Sequence, residues 1–111
     1  MFEITWDDFQ KIELRVGRII WVGNFPEAKK PAFKLEIDFG PGIGIKKSSA
    51  QITKLYTQEQ LLGRLVVCVI NFPPKQIANF RSECLTTGFV TEAGVVLLQP
   101  DREVPLGAKL A

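Results

Sequence analysis

Histidine is absent from the 111 residues, and only two cysteines, one methionine and one tyrosine occur. The missing histidine excludes Ser-His-Asp and Cys-His nucleophilic catalysis and any histidine metal site. Two isolated cysteines offer neither a CxxC motif nor metal-ligand spacing. Cys68 lies in the apolar run Leu65-Val66-Val67-Cys68-Val69-Ile70 and reads as a small buried hydrophobe. Cys84, after Ser82-Glu83, is expected half exposed. Long apolar runs are also missing: the longest reach about six residues, against the roughly 20 of a membrane helix. The acidic start Met1-Phe2-Glu3-Ile4-Thr5-Trp6-Asp7-Asp8 lacks the basic and apolar regions of a signal peptide. Together these absences set the expectation of a soluble, cytoplasmic protein in a reducing compartment. Nor does one sign of charge dominate. Lys and Arg number 14 against 12 Asp and Glu, a net +2. The isoelectric point near 8.6 stops short of the ~9 typical of dedicated nucleic-acid binders.

What is present is an ordinary globular composition, 46% hydrophobic and 10% aromatic. The length predicts one domain over residues 1–111, with a core that needs no metal or disulfide support. Thr5 and Asp8 make a capping box with Ile4 and Phe9 as a staple, which predicts a helical turn over 5–10 closing the bottom of the core. Ile12 to Val22 reads as a long first strand, bent at Gly17 and buried on both faces in its second half. A second strand runs from Phe33 to Phe39, with Phe33, Leu35, Ile37 and Phe39 on one face. Gly40-Pro41-Gly42 turns the chain into a third strand, Ile43 to Lys47.

Ser48-Ser49 then caps a predicted helix over about 49–55, and Thr57 to Leu62 is a second helical turn stopped by Gly63. Arg64 to Asn71 reads as a central strand. The two prolines of 72–81 predict a long loop without regular pairing. Residues 83–90 form a fifth strand, Thr91-Glu92-Ala93-Gly94 a turn, and 95–99 and 104–110 two short closing strands. Five strands with a helix between the third and fourth make an all-β OB-fold barrel, with a small C-terminal β extension. The same linear order also fits an SH3-like barrel.

Candidate chemistry is sparse. Gly40-Pro41-Gly42-Ile43-Gly44 joins two strands and reads as a turn, not a phosphate cradle. The pairs Asp7-Asp8 and Glu36-Asp38 read as a helix start and a solvated strand face. Ser48-Ser49 beside Lys46-Lys47 could form a Ser-Lys dyad, but helix capping accounts for the serines and no oxyanion donors are identifiable. No metal or cofactor is implied. Positive charge gathers at Lys29, Lys30 and Lys34, at Lys46-Lys47, and at Lys75 and Arg81. In an OB barrel these segments can border one groove that tracks a phosphate backbone, or be scattered solubilising lysines. Phe25-Pro26, Phe72-Pro73-Pro74 and Phe80 are apolar loop residues that could cover barrel ends, form a dimer interface or line a peptide groove.

Phe9, Leu14-Arg15-Val16-Gly17-Arg18-Ile19, Pro26-Glu27-Ala28-Lys29 and Lys34-Leu35-Glu36-Ile37-Asp38-Phe39-Gly40 carry a resemblance to a known family. They resemble the tRNA-binding OB domain appended to some methionyl- and phenylalanyl-tRNA synthetases and to a eukaryotic synthetase cofactor. Asn71-Phe72 through Lys75 and Ser82-Glu83-Cys84-Leu85 continue the match. Within the family, Ile45 through Thr53, Asn71-Phe72-Pro73-Pro74 and the stretch from Val95 to Asp101 are most similar to the CsaA-type export-related chaperones. The resemblance implies an OB barrel acting as a homodimer that binds unfolded or secretory precursor peptides, without catalysis. It also leaves structure-specific tRNA binding as the alternative use of the same groove. The implied contact residues are Lys46, Lys47, Ser49, Gln51, Asn71, Phe72, Pro74, Lys75, Phe80, Arg81 and Ser82, with the phenylalanines and Pro74 as the apolar surface.

Overall fold

Strand β1, Leu14–Asn24, is the spine on which the rest of the chain is laid. The computed structural model describes residues 1–111. In chain order the other elements are α1 (Trp6–Gln10), β2 (Phe33–Asp38), β3 (Ile45–Ala50), α2 (Gln58–Leu61), β4 (Leu65–Val69), β5 (Lys75–Ile77), β6 (Phe80–Ser82), β7 (Leu85–Thr86), β8 (Gly88–Val90) and β9 (Val95–Leu97). The main sheet runs β3-β2-β1-β4-β7, every pair antiparallel. It curls until β3 meets the chain just before β7. There the Glu83 amide donates to the Lys47 carbonyl at 2.8 Å. The Lys47 amide donates to Glu83 Oε1 at 2.9 Å. The result is a nearly closed five-stranded barrel with α2 between its third and fourth strands, the OB arrangement read from the strand order.

Alternation in β2 does what the period-2 pattern requires: Leu35, Ile37 and Phe39 point inward and are fully buried. They meet Ile19, Val66 and Cys68 from the neighbouring strands, and Ile52 and Leu61 from the β3–β4 connection. Leu61 is the one residue of α2 that is buried. Thr57 and Gln60 cap this helix reciprocally, and Gly63 ends it with φ +86°.

Several expectations are corrected. Gly17 is not a bend. It pairs regularly with Val66, and a Cβ there would lie 2.5 Å from Ile37 Cγ2 and 2.7 Å from the Phe39 ring. Its lack of a side chain makes room for core packing. The register shift falls instead between Ile19 and Trp21, which leaves Ile20 and Trp21 exposed, so the strand's second half is not buried on both faces. Ser48 and Ser49 cap no helix, because β3 continues through Ala50 and pairs both serines with β2. Helix α1 forms with its capping box but buries no residue. It is tethered outside the barrel: the Asn71 amide group donates to the Lys11 carbonyl at 2.7 Å, and its Oδ1 accepts from the Glu13 amide at 3.0 Å. The segment expected to be an unpaired loop contains a hairpin, Lys75–Ile77 against Phe80–Ser82. The prolines precede it, and Ala78 turns the chain with φ 49°. The expected fifth strand is broken into β7 and β8.

Residues 104–110 form no regular strand, yet their end fills a specific gap. β2 covers β1 only from Arg18 onward, so the start of β1 has an open edge. The Val16 amide donates to the Ala108 carbonyl at 3.0 Å, and the amides of Gly107 and Leu110 donate to Val16 and Leu14. Glu13 secures this tail through Arg15 at 2.7 Å and Lys109 at 3.1 Å. The Arg15 hydrogen bonds, then that of Lys109, hold the Glu13 carboxyl below its ordinary value. A carboxyl lowered in the folded state contributes stability above its unfolded pKa and loses it as the pH falls through the folded one. Glu13→Gln is therefore expected to speed hydrogen exchange of the Gly107 and Leu110 amides at pH 7. The wild type should approach the variant in acid, below the ordinary glutamate range.

Candidate functional site

The seam that shuts the barrel also forms the floor of a groove of about 500 Å³. Ser49 and Gln51 at the end of β3 make one wall, and Phe72, Pro73, Lys75 and Ile77 make the other. Ser82 through Leu85 lie between them. The floor is built from paired groups. Ser82 Oγ accepts from the Ser49 amide at 3.1 Å. The Ser48 hydroxyl donates to the Cys84 carbonyl at 3.0 Å and lies 2.8 Å from Thr86 Oγ1. A hydroxyl so engaged and wholly buried is no nucleophile, which removes Ser48 from the Ser-Lys dyad.

The walls expose apolar surface. Phe72 is 55% exposed and Leu85 49%, large values for side chains that a barrel of this size could have buried. Lys75 at the rim forms no ion pair within the molecule, nor do Lys29, Lys30, Lys34, Lys46, Lys47 or Arg81. Gln51 also borders a second cleft of about 320 Å³ that includes Lys30 and Lys54. The arrangement is an apolar trough with hydrogen-bonding groups along one side and cations about its edge, suited to binding rather than bond breaking.

Of the eleven expected contact residues, Ser49, Gln51, Phe72, Lys75 and Ser82 line this groove together. Lys46 and Lys47 stand on β3 just before it, on alternate faces. Asn71 is occupied by its tether to α1. Pro74 and Arg81 are exposed on the hairpin side. Phe80 is not surface: it is buried against Phe25, ring centroids 5.5 Å apart, and the Lys34 ammonium sits 4.8 Å and 5.5 Å from those two ring centres. Sequence reasoning missed Ile77, Glu83, Cys84 and Leu85 as lining residues. An apolar residue alternating with Lys75-Gln76 was the available signal for Ile77. Leu85 became visible only once the strand was seen to break.

Cys84 is buried, correcting the half-exposed expectation, and so is Cys68 as expected. The adjacent Cys68 thiol, then the Ser48 hydroxyl and the Lys46 charge, draw the Cys84 thiol below its ordinary value, against burial and Glu83. Cys68 moves the other way: the Cys84 sulfur beside it and complete burial push its thiol up.

Residues 14–109 match the family described as "Putative tRNA binding domain". The chain belongs to this tRNA-binding-domain family. Within it the chain is of the CsaA type. It is 54% identical to a CsaA chaperone protein from Picrophilus torridus, TM-score 0.93, over 98% of this chain and all of that one. A CsaA chaperone from Bacillus anthracis str. Ames matches at 48% identity and TM-score 0.92, over 99% of this chain and 100% of the other. The methionine–tRNA ligase of Pyrococcus abyssi is 38% identical over 107 residues, which is 96% of this chain but 14% of the ligase. The family member thus spans about one-seventh of that enzyme's length. Relatives matched along their whole length include both of these CsaA chaperones and a MetRS related protein from Pyrococcus horikoshii, 28% identical with TM-score 0.87.

Proposed function

We propose that residues 1–111 act as one non-catalytic, peptide-binding chaperone domain of the CsaA type, working in protein export as a cytoplasmic homodimer. The observation that carries the reading is the exposed pair Phe72 and Leu85 facing one groove. An extended segment of an unfolded client lays apolar side chains on Phe72, Pro73, Ile77 and Leu85. Gln51 and Lys75 meet its polar groups at the rim. The similarity to two CsaA chaperones supports this assignment. For the dimer, the support is a further set of apolar side chains, Phe2, Ile4 and Trp6 around α1, which are all exposed.

Phe72→Ala combined with Leu85→Ala is expected to weaken binding to an arrayed set of extended peptides by about tenfold or more. The same variant should lose the ability to slow aggregation of a denatured client. Unchanged peptide affinity would remove the groove from the reading. Native mass measurement should give twice the chain's 12.4 kDa, and Trp6→Glu with Ile4→Glu should halve it.

The cations free of ion pairs favour one second reading, structure-specific binding of tRNA across the same edge. Phosphate contacts make such binding fall steeply with salt. Tight tRNA binding that collapses between 50 and 200 mM salt, with no peptide affinity, would reverse the order of the two readings.

A further inference from the structure

We propose that Cys68 and Cys84 form a thiol oxidation site beneath the groove, where a hydroperoxide converts the two thiols into a disulfide. Both cysteines belong to the same buried cluster. Thr86 of β7 pairs with Cys68 of β4, its Oγ1 lying 3.7 Å from the Cys68 sulfur. Cys84 stands in the bend just before β7, buried in that cluster, with its thiol 3.7 Å from the Lys47 carbonyl oxygen of β3. A chain of contacts joins them: the Ser48 hydroxyl donates to the Cys84 carbonyl at 3.0 Å and lies 2.8 Å from Thr86 Oγ1, the atom beside the Cys68 sulfur. Access differs between them. Cys68 is sealed, whereas Cys84 lies at the floor of an open groove that admits a small oxidant.

The chemistry balances with the hydroperoxide alone. The Cys84 sulfur, the one that borders the groove, attacks the terminal peroxide oxygen. The O–O bond breaks, hydroxide or alkoxide leaves, and Cys84 becomes a sulfenic acid. The Cys68 sulfur then attacks the Cys84 sulfur, the S–O bond breaks, and hydroxide leaves. The two thiol protons end on the leaving oxygens, so two thiols are oxidised and one peroxide is reduced.

The bridge has a structural consequence. The Cys84 thiol donates to the Lys47 carbonyl of β3, and bonding it to Cys68 of β4 breaks that contact. Closure draws Cys84 toward β4. That movement pulls Ser82 and Glu83, whose side chains hold the Ser49 and Lys47 amides. The residues between the two cysteines also carry one whole wall of the groove, Phe72 to Ile77. A bridge formed against such resistance belongs to the readily reduced class.

The test exposes the folded chain to hydrogen peroxide, blocks remaining thiols and maps the products by mass spectrometry. The expected product has lost two hydrogen atoms, yields a Cys68–Cys84 linked peptide, and reverts with dithiothreitol. Hydrogen exchange at the Lys47 and Ser49 amides should be faster in the oxidised form. Cys68→Ala should stop at a sulfenic acid on Cys84, captured with dimedone. If that variant does not fold, the wild-type peptide map decides alone. Thiols that stay reduced at peroxide levels that oxidise the urea-unfolded chain would overturn the proposal. So would disulfides joining two chains, or a wild-type Cys84 that stops at sulfenic acid.

Discussion

Phe39→Ala is expected to destabilise the protein by about 3–5 kcal/mol, read as a shift of the urea midpoint at unchanged slope. Phe39 is the largest of the fully buried side chains. Its ring fills the space over Gly17, where a Cβ would stand 2.7 Å from it. Its backbone is engaged as well: the Phe39 amide donates to the Gly44 carbonyl at 3.0 Å and closes the turn into β3. Truncation leaves a void that a barrel wall, held by strand pairing on both sides, cannot collapse to fill. The converse substitution makes the account specific. Gly17→Ala alone should cost about 1–3 kcal/mol through overpacking. In the Phe39→Ala background the ring contacts vanish and the contact with Ile37 Cγ2 at 2.5 Å remains, so the cost of the pair should fall below the sum by the part due to the ring. Strict additivity would mean that Gly17 and Phe39 do not share that volume.

Ser48→Ala is expected to cost about 1–3 kcal/mol, the usual penalty when buried hydrogen-bonding groups lose a partner. Ser48 is the only buried polar residue, and its hydroxyl ties the Cys84 carbonyl and Thr86 Oγ1 together across the seam. Removing it leaves the Cys84 carbonyl with only the longer Ser82 hydroxyl contact at 3.4 Å and Thr86 Oγ1 with only the Cys68 thiol at 3.7 Å. Ser48→Ala with Thr86→Val removes both hydroxyls and should cost less than the two single changes added. Amide exchange at Glu83, whose N–H bonds across the same seam to Lys47, should rise in Ser48→Ala. A variant with wild-type stability and exchange would show that the barrel is shut without this hydroxyl.

The architecture was legible where local pattern and tertiary demand agree. Alternation from Phe33 to Phe39, the capping box at Thr5 and the turn of Thr57 to Leu62 stopped by Gly63 lead directly to β2, α1 and α2. Failures share one cause: residues whose role is set by a distant partner. Ser48-Ser49 has the chemistry of a helix cap, but pairing with Leu35 and Lys34 extends the strand through both. Gly17 looks like a bend because nothing local says that a phenylalanine from the next strand needs its space. The groove was half visible for the same reason. Phe72 and Lys75 sit in a proline-marked segment that invites a functional reading, and they do line it. Phe80 has the same local character, yet Phe25 and Lys34 enclose it. Only the fold tells an exposed loop phenylalanine from a buried one.

The seam bears on how occupancy and folding are linked. Its side-chain bonds join residues 33 to 38 positions apart, whereas the hairpin of β2 and β3 closes over a short turn. The trough above the seam is therefore complete only when that long-range closure has been made. Anything that settles there binds the finished barrel and not its open precursors. At a concentration one hundred times its dissociation constant, such a guest adds about 2.7 kcal/mol to the stability of its host. A protein that holds unfinished chains would in turn be held shut by them.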